Sequence, residues 1–219
     1  MNIRNAHSGY KSVTCGVPQG SILGPLLFIL FTNDMPHCLK HCNASMYADD
    51  STVYVIGKDV KLIESILNAD ANNVFKWCSE NKLYINVEKT KCMLLTTPQK
   101  RASQTSTDLA VRINNKAVPN SNCEQVLGMY IHCSLDWGEH VSYLCKCINY
   151  RLCVLRKIRK CLSVEARAIY CNSYVLPYLD YCSTIWGNTT EYNLQKLSGF
   201  KSMHADSNLM TLSLGQHYC

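Results

Sequence analysis

Ser45-Met46-Tyr47-Ala48-Asp49-Asp50-Ser51-Thr52-Val53-Tyr54-Val55-Ile56 decides how this chain is read. Thr52 to Ile56 is β-branched and aromatic, the composition of a strand, and Ser45 to Tyr47 supplies a second strand across Ala48-Asp49-Asp50-Ser51. The stretch predicts a hairpin with two adjacent carboxylates at its tip. Such carboxylates repel, and normally one of them takes up a proton. A bound divalent cation removes that penalty, and hard carboxylate oxygens suit Mg²⁺. Two ions about 3.5–4 Å apart can activate an attacking hydroxyl and stabilise a leaving oxygen in phosphoryl transfer. An Asp-Asp pair in a turn is also common and merely solvated, so Tyr47-Ala48-Asp49-Asp50 taken alone leaves both readings open.

Outward from the hairpin, the pattern alternates between strand and helix. On the N-terminal side, residues 1–33 hold no acid, and Gly16, Pro18 and Gly20 punctuate the backbone. Pro25 suits the first turn of a helix carrying Leu26, Leu27, Ile29, Leu30 and Phe31, ended by Asn33-Asp34-Met35-Pro36. On the C-terminal side the period becomes helical from Asp59. Ile63, Ile66, Leu67, Val74, Trp77 and Cys78 recur at steps of three and four, with Asp70 an acidic exception on that face. Leu83 to Val87 and Cys92 to Thr96 are strand-like, and Pro98 to Asp108 is expected to be a polar surface loop. Asn114-Asn115 suits a hairpin turn between Val111-Ile113 and Val118, and Val126 to Ile131 suits a further strand.

The last third is helical. Leu144, Ile148, Leu152, Leu155, Ile158 and Leu162 form one apolar stripe, with Lys146, Arg156, Lys157 and Lys160 on the other side. Ser163 is a good N-cap for another helix that stops before Pro177. The order fits an α+β core with a helical appendage.

Composition narrows the class. The chain has 219 residues, 47% of them hydrophobic and 17% charged, which excludes collagen-like, coiled-coil and low-complexity classes; that charge is low for a disordered chain. A net charge of +6 permits a nucleic-acid partner without demanding one. Most of the fourteen cysteines stand singly in apolar or helical patterns behind a polar N-terminus, the usage of reduced, buried thiols. The expectation is an intracellular chain, nuclear or cytoplasmic, not secreted. The longest apolar run, Ile22 to Phe31, is about half a membrane span, so no membrane partner is expected. His37-Cys38-Leu39-Lys40-His41-Cys42 has ligand-type side chains at helical steps, but no partner cluster stands elsewhere for zinc.

A second motif, Gly16-Val17-Pro18-Gln19-Gly20-Ser21-Ile22-Leu23-Gly24-Pro25-Leu26-Leu27-Phe28, precedes Tyr47-Ala48-Asp49-Asp50. Together they resemble reverse transcriptases, most closely those of non-LTR (LINE-type) retrotransposons such as the jockey group. The resemblance implies RNA-directed DNA polymerase activity by two-metal nucleotidyl transfer, on an RNA template and a DNA primer with deoxynucleoside triphosphates. It implies Mg²⁺, with Mn²⁺ as a substitute, held by Asp49 and Asp50. It places Pro18, Gln19, Gly20, Ser21 and Tyr47 at the template and nucleotide. Leu83-Tyr84-Ile85-Asn86-Val87-Glu88-Lys89-Thr90-Lys91 is similar to the fourth palm motif, which makes Lys89 the candidate acid for pyrophosphate, with Lys91 close behind; a solvated lysine remains the alternative. Val126-Leu127-Gly128-Met129-Tyr130-Ile131 is similar to the primer-grip hairpin, giving Leu127 and Gly128 that role, although the family more often has Phe at Val126 and Asp at His132. Ser173 to Gly187 is similar to the thumb-like segment, so Lys146, Arg156, Lys157 and Lys160 become candidate phosphate contacts.

The fold expected from this resemblance is α+β: a partial polymerase palm, an antiparallel sheet with packed helices, over residues 1–135. A helical thumb-like module follows over 136–200, then an atypical polar tail over 201–219. The family's third metal-binding aspartate would lie before Val13, where the sequence has no acid, and the fingers are not represented. The expectation is therefore a truncated copy, inactive alone. The alternatives are a non-catalytic nucleic-acid-binding remnant of a transposable element and a fragment without a stable fold. The sequence assigns no oligomeric state.

Overall fold

The structure, a computed structural model, describes residues 2–3, 6–7, 16–17, 20–103 and 108–205. It divides into one unit of Met1–Thr90 with Ala110–Val118 and a second of Lys91–Leu109 with Pro119–Cys219. Among the described residues the architecture is mixed α+β, with helices accompanied by small antiparallel hairpins. Among the described residues the strands pair only two by two, so the expected larger antiparallel sheet is not formed there. No helix of the described residues is long and apolar enough to cross a membrane. Pro18, Gln19, the stretch before Val13 apart from residues 2–3 and 6–7, and the end of the chain after Ala205 lie outside the described residues.

The first unit begins with the pair β1 (Asn2–Ile3) and β2 (Ala6–His7). Helix α1 (Leu23–Thr32) starts where the Ser21 hydroxyl accepts the Gly24 N–H at 3.1 Å, a capping bond, with Pro25 in the first turn. It carries no charge, and Thr32 alone among its residues is buried. Strands β3 (Asn43–Tyr47) and β4 (Asp50–Tyr54) follow as the predicted hairpin.

Helix α2 (Val60–Glu80) is capped by Asp59, whose carboxylate accepts the Lys61 N–H at 2.9 Å. Ile63 and Asp70 are its buried residues, and Ile66, Leu67, Val74, Trp77 and Cys78 are half-buried on the face that the spacing predicts. Strands β5 (Arg112–Ile113) and β6 (Lys116–Ala117) turn at Asn114 and Asn115, with φ of 49° and 61°. Two left-handed loop residues match the twist of a tight hairpin, and Asn tolerates that conformation. Asn68 on α2 donates to the Ala110 carbonyl at 3.0 Å and accepts the Arg112 N–H at 2.8 Å, fastening this hairpin to the helix.

Two of the predicted strands are absent. Leu83 to Val87 alternates inward and outward as a strand does, but it has no partner ladder. Cys92 to Thr96 makes one isolated bridge, Cys92 to Asn120. Alternation marks which side chains face inward; only a neighbouring strand of the same register makes a ladder. Pro98 to Ser103, expected within a polar loop, is the short helix α3 (Pro98–Ser103), begun by a proline suited to a first turn.

The second unit contains the hairpin β7 (Cys123–Val126) and β8 (Met129–His132), so the single strand expected from Val126 to Ile131 is broken by a turn at Leu127-Gly128. Helix α4 (Gly138–Ile158) buries Leu144, Ile148, Leu152 and Leu155 as its stripe predicts, together with His140 and Val141. The stripe ends early: the chain tightens to a 3-10 turn at Arg159–Cys161 and Ile158 is exposed. Then come α5 (Val164–Tyr174), α6 (Leu176–Asp180), α7 (Ser183–Trp186) and α8 (Glu191–Ala205). Ser163 caps α5, accepting the Ala166 N–H at 3.2 Å. Met129, Val141, Leu144, Ile148, Leu152, Val175, Leu179, Trp186 and Leu197 form one core. Burying such side chains stabilises by roughly 1.5–3 kcal/mol each. The buried indole of Trp186 donates to the Tyr181 carbonyl at 2.9 Å.

The thiols are less uniformly buried than the sequence pattern implied. Cys42, Cys133 and Cys171 are buried, whereas Cys153 and Cys161 are exposed.

Candidate active site

The two carboxylates are placed by the β3–β4 hairpin. Its register runs from Asn43 opposite Tyr54 to Tyr47 opposite Asp50, leaving Ala48 and Asp49 as a two-residue loop. Ala48 has φ 52°, a conformation uncommon for a residue with a Cβ and free of cost only for glycine. Asp50 is thus the last paired residue and Asp49 the loop residue before it, with Tyr47 at the facing strand end. All three are exposed. Among the described residues the ion pair formed is Lys76–Glu80, at 3.9 Å, and none of their cationic side chains pairs with Asp49 or Asp50.

Exposed, uncompensated carboxylate oxygens are the donor set that suits a hard divalent cation. Among the described residues no three His, Cys, Asp or Glu side chains gather into a metal-binding group. An ion of the Mg²⁺ type needs only one or two protein carboxylates and completes its shell with water and phosphate oxygens.

Three further candidates lie in the same unit. Gly20 has φ 86° and is exposed, and Ser21 next to it caps α1 through its hydroxyl. Lys89 is exposed in a turn, with its backbone N–H donating to Asn86 Oδ1 at 3.1 Å. His37 and Cys38 fall in a 3-10 turn, Met35–Cys38, and the buried Cys42 thiol is pushed up to about 12 by burial and its hydrogen bond to Asp70.

The second unit holds the remaining candidates. Leu127 and Gly128 form the β7–β8 turn, both left-handed with φ of 47° and 84°. The Tyr181 hydroxyl donates to the Leu127 carbonyl at 2.6 Å and so pins a turn that a leucine would otherwise resist. Lys146, Arg156 and Lys157 are exposed on α4, and Lys160 is exposed in the turn after it. Arg151 takes no part in that face. Its guanidinium lies 4.1 Å from the Tyr178 ring centroid and donates to the Tyr178 hydroxyl and the Cys147 carbonyl.

A family model described as reverse transcriptase (RNA-dependent DNA polymerase) matches residues 1–144. The chain belongs to the reverse transcriptase family. It is 27% identical over 187 residues to a retrovirus-related Pol polyprotein from type-1 retrotransposable element R1 2 of Nasonia vitripennis, covering 81% of this chain and 44% of that protein. It is 25% identical over 207 residues to the RNA-directed DNA polymerase from mobile element jockey of Drosophila melanogaster, covering 90% and 22%. A probable RNA-directed DNA polymerase from transposon X-element of the same fly is 23% identical over 209 residues, covering 92% and 22%. This is a reverse transcriptase domain related to those of non-LTR retrotransposons, and it spans less than half the length of these curated relatives. No solved structure matches it.

Within this reverse transcriptase domain, three residues matter that are not among the expected site residues. Tyr181 fixes the Leu127-Gly128 turn, yet nothing in its own local sequence signals a contact 54 residues away. Tyr150 is 71% exposed and lies four residues from Lys146 on the outer face of α4, an aromatic among basic groups. Asp70, visible in the sequence only as a break in an apolar face, is fully buried.

Proposed function

We propose that this chain carries part of the nucleotidyl-transfer centre of a non-LTR retrotransposon reverse transcriptase, with an RNA template, a DNA primer and deoxynucleoside triphosphates as substrates. The observation that carries this reading is the pair of exposed, uncompensated carboxylates, Asp49 and Asp50, at the tip of a five-pair hairpin. Divalent cations held there would activate the primer 3′ hydroxyl and steady the leaving pyrophosphate oxygen. Asp49 and Asp50 bind and orient. Tyr47, at the facing strand end, offers an exposed aromatic face to the incoming nucleotide, and Pro18, Gln19, Gly20 and Ser21 border the template. Lys89 is the candidate proton donor to pyrophosphate. Residues 1–135 correspond in this reading to the palm, 136–200 to a thumb-like module and 201–219 to a tail, with Leu127 and Gly128 at the primer.

Two carboxylates cannot by themselves fix two metals and a triphosphate, and misplacing reacting groups by about 1 Å costs roughly 10²-fold. The 219 residues alone are accordingly expected to extend no primer. The second reading, a nucleic-acid-binding remnant, is favoured by Lys146, Tyr150 and Lys157 on one exposed face of α4. Both readings expect binding to an RNA–DNA duplex that weakens as salt rises. They separate on Mn²⁺, which the polymerase reading expects to bind at Asp49 and the remnant reading does not. Primer extension on an RNA template, with Asp49→Asn as control, tests the incompleteness. Extension by the parent but not the variant would show that another group completes the centre.

A further inference from the structure

Asp70 is buried at 0% exposure on α2, and no basic side chain pairs with it among the described residues. A buried carboxylate is strongly disfavoured unless hydrogen bonds replace its water. Here three consecutive backbone N–H groups do so. Lys40 donates to Oδ1 at 3.0 Å, and His41 and Cys42 donate to Oδ2 at 2.8 and 2.7 Å. The Asn73 side chain adds a fourth donor to Oδ1 at 3.1 Å. Successive N–H groups converging on one anion form a nest, and charge-assisted bonds of this kind are short and directional.

The location of this nest gives it consequence, because Cys42 is the residue before β3 begins at Asn43. No residue of β3 or β4 is buried, so apolar packing does little to aim the hairpin. Resting on the reading of Asp49 and Asp50 as metal ligands, we propose that Asp70 is the positioning residue of that centre, clamping Lys40–Cys42 to α2 and thereby aiming the hairpin tip. A strand advances about 3.4 Å per residue, so the tip stands about 17 Å beyond the clamp, and a swing of about 10° at the base moves it by about 3 Å. The carboxylate remains charged in this role. Burial pushes it up, and the N–H donors with the Cys42 thiol more than offset that, holding it at about 2. The titratable side chains that interact with it are Cys42 on the clamped loop and Cys38 in the preceding turn.

The test compares Asp70→Asn, Asp49→Asn and the parent 219-residue chain by amide hydrogen exchange and Mn²⁺ titration. Asp70→Asn keeps the side-chain shape but turns a donor toward the nest. It is expected to speed exchange of the β3–β4 ladder amides by about tenfold or more, with the amides of α4 unchanged. It is also expected to weaken Mn²⁺ binding several-fold. Asp49→Asn is expected to weaken Mn²⁺ binding with ladder exchange unchanged. Unchanged ladder exchange in Asp70→Asn, or equal acceleration in α4, overturns the proposal. Absence of Mn²⁺ binding in the parent overturns the metal reading instead, and the exchange data still decide whether Asp70 clamps the hairpin. Should Asp70→Asn fail to fold, Asn73→Ala takes its place: faster ladder exchange at unchanged α2 helicity supports the clamp, and no change refutes it.

Discussion

The two units of this chain solve opposite problems. The second unit has a dense core in which Val141, Ile148, Trp186 and Leu197 are at or below 1% exposure. The first has few buried apolar side chains, among them Met35, Ile63, Val111, Ile113 and Val118, and none of these is as deeply enclosed. Its helix α1 instead shows Leu23, Leu26, Ile29 and Leu30 each more than half exposed. A helix that is apolar all round is normally enclosed on every side. The unit that carries the candidate chemistry is therefore held largely by polar devices: the Asp59 cap, the Asn68 bridge and the Asp70 nest. The unit that carries the candidate primer and phosphate contacts is held by apolar packing.

Substitutions can break or sharpen that contrast. Trp186→Ala is expected to destabilise the second unit by about 3–5 kcal/mol, since it removes both the indole's packing and its hydrogen bond. Chemical denaturation followed by α4 amide exchange reads this directly, and a loss below about 1 kcal/mol would deny the core its role.

Acid should separate the units next. Burial lowers the pKa of His140 below the ordinary 6.5, and its Nδ1 accepts the Tyr130 N–H at 3.4 Å. The unfolded chain then binds a proton that the folded one refuses. Stability contributed by His140 is full above 6.5 and falls as pH drops below it, by at most about 1.4 kcal/mol per pH unit. Asp70 acts lower. Its contribution is complete above the ordinary 3.8 and is lost as pH falls toward about 2. Protection of α4 should therefore decline from mildly acid pH, and this decline should vanish in His140→Phe. An unchanged decline in that variant would assign it to other groups.

Ala48→Gly is a smaller test. It relieves a left-handed residue at about 1–2 kcal/mol and loses about 0.5–1 kcal/mol to chain entropy, for a net gain near 0.5 kcal/mol. Slower exchange at the hairpin tip would show it. Smallest of all, Leu30→Ser on α1 is expected to change stability by less than about 0.5 kcal/mol, since its side chain is already in water.

How much was legible in the sequence follows from what each signal encodes. The hairpin at Asp49-Asp50, the α2 and α4 faces, the Asn114-Asn115 turn and the Ser163 cap were all readable, because each rests on local chemistry within a few residues. The strands expected at Leu83–Val87 and Cys92–Thr96 failed because a ladder needs a partner that local alternation does not specify. Pro98–Ser103 is helical where its polar composition suggests a loop, because a proline at its start suits a first helical turn. The family was legible from two motifs in order. Asp70 and Tyr181 were not legible as functional supports, because their partners lie 28 to 30 and 54 residues away.

The central claim is that Asp49 and Asp50 are metal ligands. Its most direct test is Mn²⁺ titration of the ¹⁵N-labelled chain, followed by paramagnetic broadening of backbone amides. The account predicts saturable broadening centred on Tyr47 to Ser51, abolished in the Asp49→Asn, Asp50→Asn double variant with the hairpin ladder intact. Broadening centred elsewhere, or unchanged at the tip in the double variant, would contradict it.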